Sequence, residues 1–271
     1  MKKSSKIILG IVIVTLLLGI AGLTAGVAMG ARPAEFLNVK VGGINLSLGD
    51  NPLFYDGIAF MGNKQSDSFS SEEIDSLKIS MGRGTVNILS SGDDTALYYE
   101  GQGQFSTEQK GTTLVIKDNG MSTPASIDLY LPDRVFEQVD MELGAGSTYI
   151  TALSANKLNI ELGLGEVEAE YLEGKNELEI QVGAGSFSAD TCIGKKIDIS
   201  CGMGSVQLTL GGKETDYDYT LSCGMGNITI GSSSISGLGR EQKIDNQSVQ
   251  QIDAECGMGQ INIDFTDYSG G

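Results

Sequence analysis

The chain has 271 residues, and its 38 glycines are about twice the share that a globular protein usually contains. It has no histidine or tryptophan, and 35 acidic against 18 basic residues give a net charge of −17. This balance excludes a nucleic-acid partner that needs a basic face. The lack of histidine removes the commonest general base and metal ligand, which argues against hydrolases and zinc enzymes. We therefore expect a folded, non-enzymatic protein that uses glycine repeatedly and binds no cofactor.

The amino terminus predicts a single membrane span. Three lysines precede an uncharged stretch, residues 7–31. Its apolar part, Ile7–Met29, would be ~34 Å long as a helix, which is enough to cross a bilayer core of about 30 Å. Because signal peptides usually have shorter apolar stretches, we predict an uncleaved signal anchor, with cleavage after the small residues at its end as the alternative. The lysines place residues 1–6 in the cytoplasm and the chain beyond the span outside the cell membrane.

Residues 32–66 are predicted to be an extracytoplasmic spacer, in which Gly42 and Gly43 suggest a short hairpin. Residues 67–266 then contain seven copies of one pattern, and residues 267–271 form a tail. Each copy is an alternating apolar strand, a Gly-x-Gly segment and a second alternating strand, which we call the first and second arm. The copies have a period near 20 residues in the middle of the chain, and they begin at Leu77, Val139, Leu158, Leu178, Ile197, Tyr219 and Ile252.

The apolar positions change parity at each glycine pair. They lie one and three residues before the first glycine, as at Met81 and Ile79, and four and six residues after it, as at Val86 and Ile88. Because side chains alternate faces along a strand, both arms can face one interior only if the chain turns at the glycines. Glycine adopts positive φ without a Cβ clash, so we predict structural corners with this conformation. The predicted corner residues are Gly82, Gly84, Gly144, Gly146, Gly163, Gly165, Gly183, Gly185, Gly202, Gly204, Gly224, Gly226, Gly257 and Gly259.

Strand, corner and strand, stacked about 4.8 Å apart, would form parallel sheets. The predicted fold class is therefore all-β, a parallel β-solenoid similar to a β-helix with repeats of about 20 residues, preceded by one transmembrane helix. Further strands are expected at 96–107, 112–118 and 126–136, between the first and second copies. The polar insertion 231–251 is expected to leave the solenoid as a loop.

From Phe69 to Phe265 the chain resembles the bacterial β-strand-repeat family of unknown function that is often labelled putative adhesin. The resemblance rests on FSSEEIDSLKISMGRGTVNI at the start, on IDLYLP followed by VDMELGAGSTYI, and on the closing segments CGMGNITI and CGMGQINIDF. It implies a β-solenoid on the outer face of the cell, often anchored in the membrane and sometimes linked to envelope stress. It implies no established catalytic residues.

Three cysteines, Cys201, Cys223 and Cys256, precede the first glycine of C-G-M-G segments, where other copies have apolar residues. We predict a ladder of buried thiols, which suits free cysteine. The alternative is a Cu(I) site that combines these thiols with the methionines of the same segments, since both are soft ligands. The spacing between stacked copies is wide for a disulfide. Cys192 stands outside this ladder, and we expect that it can be exposed to solvent.

Other residue patterns have competing interpretations. Outward positions of the first arms are acidic, which predicts a solvated face; a shared calcium ion is the alternative, although no EF-hand loop is present. Tyrosines scattered over the strands allow a sugar-stacking strip or ordinary half-buried packing. These tyrosines are Tyr98, Tyr99, Tyr130, Tyr149, Tyr171, Tyr217 and Tyr219.

The Gly-x-Gly segments lack the third glycine of a nucleotide-binding motif, and their repetition favours corners over phosphate binding.

We predict a non-enzymatic, membrane-anchored cell-surface protein that acts as an adhesin or binds an unidentified envelope component. The alternative is an envelope-stress sensor; with about five residues before the span, its signal would pass laterally to a membrane partner. A polysaccharide lyase or hydrolase is a third hypothesis. Its candidate acid pairs, Glu72–Glu73 and Asp93–Asp94, are adjacent in sequence at predicted turns, and no long loop carries a carboxylate–arginine cluster.

Overall fold

A computed structural model of the chain describes residues 38–41, 44–47, 64–91, 96–118 and 124–266. The described elements are all β-strands apart from two 3₁₀ turns, Ser71–Glu73 and Glu214–Asp216. The prediction of an all-β fold is therefore confirmed. Within these ranges no helix is long and apolar enough to cross a membrane. The predicted cytoplasmic tail 1–6, signal anchor 7–31 and C-terminal tail 267–271 lie outside the described residues.

The chain divides into two units, which are described separately. The first contains an antiparallel pair of short strands in which Val41 lies opposite Ile44, so the hairpin expected in the spacer is confirmed. The second unit starts its first strand at Lys64, slightly before the predicted domain boundary. The strands of both units are β1 (Asn38–Val41), β2 (Ile44–Ser47), β3 (Lys64–Ser70), β4 (Ser76–Ser90), β5 (Ala96–Gln102), β6 (Phe105–Lys110), β7 (Thr113–Asp118), β8 (Ala125–Leu131), β9 (Val135–Leu162), β10 (Glu166–Val182), β11 (Ser186–Gly194), β12 (Lys196–Cys201), β13 (Ser205–Gly211), β14 (Tyr217–Cys223), β15 (Asn227–Ile230), β16 (Ser233–Ser236), β17 (Arg240–Ile244), β18 (Gln250–Cys256) and β19 (Gln260–Thr266).

Parallel pairing dominates the second unit. Val167 on β10 lies opposite Thr148 on β9 and Phe187 on β11, so the chain advances by 19 or 20 residues between neighbouring strands. The first arms pair with first arms in the same way, as Leu178 does with Leu158 and Ile197. We call each layer of this stack a level. One copy of the repeat therefore occupies one level, with its two arms in two parallel ladders.

The levels do not follow chain order at the C-terminal end. Cys256, in the seventh copy, lies opposite Cys201 of the fifth copy on one side and Cys223 of the sixth copy on the other. The last copy is thus inserted between two earlier ones. The same inversion occurs at the other end, where β7 and β8 lie outside β4 although they follow it in the chain.

Antiparallel strands cover both ends of the stack. At one end β5 and β6 pair with β8 and β7, and at the other end β16 and β17 pair with β15 and β14. The prediction that 231–251 leaves the stack as a loop is therefore wrong. Its polar sequence suits an edge, because charged side chains such as Arg240 and Lys243 discourage further strand pairing.

The interior contains the apolar residues of both arms. The predicted inward residues, from Ile79 and Met81 in the first copy to Ile228 and Ile230 in the sixth, are buried. Their neighbours in sequence are mostly half-buried or exposed, so the parity change at the glycines is confirmed. A third column joins them beyond the second arms, with register partners Leu153, Leu172, Cys192 and Leu210, all buried.

The glycines are required mainly for a reason that differs from the predicted one. Among the fourteen corner glycines only Gly84 and Gly146 have positive φ, at 133° and 156°. At every corner glycine except Gly82, the backbone of the neighbouring level supplies the constraint. A Cβ on Gly165 would lie 2.3 Å from the carbonyl oxygen of Gly146, and one on Gly204 would lie 2.2 Å from that of Gly185. Glycine stacks on glycine because the two backbones approach too closely for any side chain.

We expect Gly165→Ala to lower the free energy of unfolding by about 2–3 kcal/mol, because the new methyl group would overlap the Gly146 carbonyl. Gly82→Ala is the matched control, since the nearest atom to its Cβ is a carboxylate oxygen of Asp118, at 3.0 Å, and not a backbone atom. Denaturant unfolding followed by circular dichroism measures both. Equal losses in the two variants, or no loss in Gly165→Ala, would contradict the stacking constraint.

Candidate binding surface

The two arms of each copy present two outer faces to solvent. We call them the first-arm face and the second-arm face, according to the arm whose outward side chains form them. Because outward residues occupy the same register position in every level, each face consists of rows of side chains about 4.8 Å apart. The composition of these rows determines what each face can bind.

The second-arm face has two continuous polar rows that cross eight levels. They extend over ~34 Å, and none of their members is lysine or arginine. All sixteen side chains are at least partly exposed. The first row is Ser126, Thr85, Ser147, Glu166, Ser186, Ser205, Gln260 and Asn227, and the second is Asp128, Asn87, Tyr149, Glu168, Ser188, Gln207, Asn262 and Thr229.

Hydrogen bonds within and beside these rows hold some of the side chains in place. Asn87 Nδ2 donates to Asp128 Oδ1 at 2.6 Å, and Ser205 Oγ donates to Ser186 Oγ at 3.2 Å. Gln207 Nε2 donates to Asp264 Oδ2 at 3.0 Å. The face is therefore a regular array of hydroxyl, amide and carboxylate groups with acceptors in excess.

The first-arm face carries the predicted acidic positions together with lysines. Glu179, Asp198 and Asp253 lie opposite one another in three neighbouring levels. Lys196 bonds to Asp198 and, at 2.9 Å, to Glu177. Burial works against the charge of Lys196, yet these two hydrogen bonds raise its pKa above the ordinary value. The carboxylates are thus partly neutralised by the chain itself, and no group of three or more Cys, Asp or Glu in the described ranges is placed to hold a metal ion.

Two neighbouring carboxylates on this face have opposite pKa shifts. Burial and the charges of Glu142 and Glu179 raise the pKa of Glu161. Burial opposes ionisation of Glu142 too, but hydrogen bonds from Ser80 at 2.9 Å and Lys78 at 3.1 Å lower its pKa below the ordinary value. The fold therefore disfavours the charge of Glu161 and favours that of Glu142.

The seven tyrosines do not form one strip. Tyr99, Tyr217 and Tyr219 are buried, and burial followed by the charge of Asp216 raises the pKa of Tyr217 to about 12. Tyr98 and Tyr130 stack on the outside, with ring centroids 4.5 Å apart and planes 9° apart. Tyr149 lies in the second polar row, and Tyr171 is half-buried. The outward tyrosines thus add aromatic surface towards the β8 end of the second-arm face.

The three cysteines of the C-G-M-G segments occupy adjacent levels, and all three are buried. The expectation that Cys192 can be exposed is wrong. Cys192 is buried in the third column between Leu172 and Leu210, because the turn beyond the second arm also faces the interior. Burial, followed by the charge of Asp190, raises its pKa to about 12.

A carboxylate–arginine cluster that the sequence did not predict lies at one edge of the stack. Arg134 donates to the carbonyl oxygen of Ile74, lies 3.9 Å from the Asp75 carboxylate and stacks 4.8 Å above the Phe136 ring. The adjoining depression measures about 20 Å³, which is room for a single water molecule. Asp75 and Arg134 are distant in sequence, so no local motif indicates this cluster. Its contacts connect the chain before β9 to the start of β4.

The geometry defines an all-β protein whose copies stack in parallel levels with polar outer faces. It is similar to solved structures of a putative cell adhesion protein from Clostridium sporogenes (14% identity, TM-score 0.43, 76% of this chain and 100% of that chain covered) and of putative adhesins from Parabacteroides distasonis (15%, 0.35, 74% and 97%) and Bacteroides fragilis (15%, 0.33, 76% and 100%). No protein-family model and no curated protein matches the chain.

We expect Glu161→Gln to raise the melting temperature at pH 7 by about 1–3 °C and to leave it unchanged at pH 3. Since the folded pKa is raised, the charge of Glu161 reduces stability as pH rises from the unfolded value of about 4.3 through the folded value. Glu142→Gln is the matched control. Its folded pKa is lowered, so its stabilisation is present above about pH 4.3 and is lost as pH falls.

Glu142→Gln should therefore lower the melting temperature at pH 7, opposite in sign to Glu161→Gln. Calorimetry of both variants at pH 3 and pH 7 provides the comparison. Shifts of the same sign at pH 7 would refute the assigned environments.

The four thiols should be unreactive in the folded protein. Burial keeps them from reagent, and the reactive thiolate of Cys192 is scarce at pH 8. We expect Ellman's reagent to modify fewer than one thiol per chain in native buffer within an hour, and all four in guanidinium chloride. Rapid native reaction of any cysteine would contradict its assigned burial.

Proposed function

We propose that the chain is a non-enzymatic, membrane-anchored protein of the cell surface that binds an envelope or surface polymer through its second-arm face. The stacked levels are proposed to form the β-solenoid that the repeat pattern predicts, held outside the membrane by the anchor at residues 7–31. One observation carries the proposal: the two polar rows that continue in register across eight levels.

These rows suit a polymer better than a small molecule. Small ligands bind in concave, mostly apolar pockets, whereas the polar groups of this face repeat every ~4.8 Å along two rows. Each hydrogen bond to a hydroxyl or amine of the partner contributes about 0.5–1.5 kcal/mol net, so useful affinity requires several repeats. A polysaccharide that presents hydroxyl groups at regular intervals can make such contacts along the whole row. The stacked rings of Tyr98 and Tyr130 add a surface for the apolar side of a sugar.

The proposal assigns polymer binding to the second-arm face and not to the first-arm face. Substitutions of Gln207 and Gln181 test this assignment. Both glutamines are exposed; Gln207 lies in the second polar row and Gln181 on the first-arm face. We expect Gln207→Arg to weaken binding of purified cell-wall polysaccharide at least tenfold, because the long side chain interrupts the row. Gln181→Arg should leave binding within twofold of the wild type. Sedimentation of the purified chain with insoluble polysaccharide measures both.

The same assay, together with affinity purification from solubilised envelopes, distinguishes the other hypotheses. Shortening of the polysaccharide would support an enzyme instead. Absence of polysaccharide binding, together with stoichiometric recovery of one membrane protein from solubilised envelopes, would support a regulator that acts through a membrane partner. Equal loss of binding in Gln207→Arg and Gln181→Arg would contradict the assignment to the second-arm face.

A further inference from the structure

Three methionines occupy the same corner position in three adjacent levels. The backbone N–H groups of Met203, Met258 and Met225 donate to the carbonyl oxygens of Gly183, Gly202 and Gly257 respectively, each at 2.7 Å. Each methionine therefore lies one level from the next, in the spatial order Met203, Met258, Met225. This order differs from the chain order because the seventh copy is inserted between the fifth and sixth.

The thioether side chains lie outside the stack, apart from the thiols of the same segments. Met203 and Met225 are 46% and 57% exposed, and Met258 between them is partly exposed, whereas the three cysteines one residue before the corner are at most 4% exposed. Each methionine is flanked by two glycines, which have no side chain to cover it. The fold therefore separates the sulfur ligands of the mixed site that the sequence suggested as an alternative. The thiols form an inner set and the thioethers form an outer set.

The outer set has the ligand chemistry of a soft monovalent ion. Thioether sulfur favours Cu(I) over hard cations, and it needs no loss of a proton to bind. Methionine has three rotatable bonds, so sulfurs on levels about 4.8 Å apart can converge on one ion placed over the middle level. The net charge of −17 raises the local concentration of cations at the surface.

We propose that Met203, Met258 and Met225 form a surface site that binds one Cu(I) ion. The site is confined to these levels, because the same corner position in the other four copies holds Arg83, Ala145, Leu164 and Ala184, which supply no thioether. Met258 is the central ligand. Met203 and Met225 lie two levels apart, about 9.6 Å along the stack. Only Met258 is one level from both, so the ion must lie over Met258 for all three sulfurs to reach it.

Competition for Cu(I) with the chelator bathocuproine disulfonate, under anaerobic conditions and with the purified full chain, tests the site. We expect one Cu(I) per chain, and at least tenfold weaker binding in Met258→Leu. Met225→Leu should weaken binding as well; this side chain is more than half exposed, and the swap conserves volume, so folding is retained. Met81→Leu, which removes a buried thioether, is the matched control and should leave affinity unchanged.

A Cys256→Ala variant separates thioether from thiol binding and should bind Cu(I) as the wild type does, with circular dichroism to confirm its fold. Absence of Cu(I) binding by the wild type would overturn the proposal. So would wild-type affinity in both Met258→Leu and Met225→Leu, or loss of the bound ion in folded Cys256→Ala.

Discussion

The structure depends on the close approach of backbone to backbone at the stacked glycine corners. In successive levels a carbonyl oxygen lies 2.2–2.8 Å from where a Cβ would stand on most corner glycines, so only glycine fits. With the corners in contact, both arms pair at the ordinary strand spacing and both direct their apolar residues into one interior. The outward side chains then necessarily fall into rows. The surface proposed for binding is a geometric consequence of the corner.

The ends of the stack show how such a fold limits its own growth. A parallel ladder has unpaired backbone groups at its last strand, which would recruit another chain. Here the outermost levels pair with antiparallel strands that are short and polar, such as β6 and β17. The seventh copy lies inside the stack, where β18 is paired on both sides. The C-terminal copy therefore joins levels that have already been synthesised, and its contacts are long-range in sequence.

The sequence could predict what repeats and could not predict how the repeats are ordered. Parity of apolar residues around each glycine pair located the interior, because alternation is a local property of strands. The fifth, sixth and seventh copies share the same C-G-M-G segment, so nothing local shows that the seventh lies between the others. Cys192 was misplaced because its column, shared with Leu172 and Leu210, lies beyond the repeated motif. The cluster at Arg134 was missed because it joins segments that are distant in sequence.

The same parity rule explains why one motif places two kinds of sulfur in different environments. In C-G-M-G the cysteine ends a first arm and faces the interior, while the methionine stands on the corner and faces solvent. On the second-arm face the rule places two continuous rows of polar groups outside. Affinity must then come from many weak contacts in parallel, and this favours a partner that is itself repetitive over one that offers a single group. In the proposed function, regular spacing rather than any one residue is therefore the recognition element.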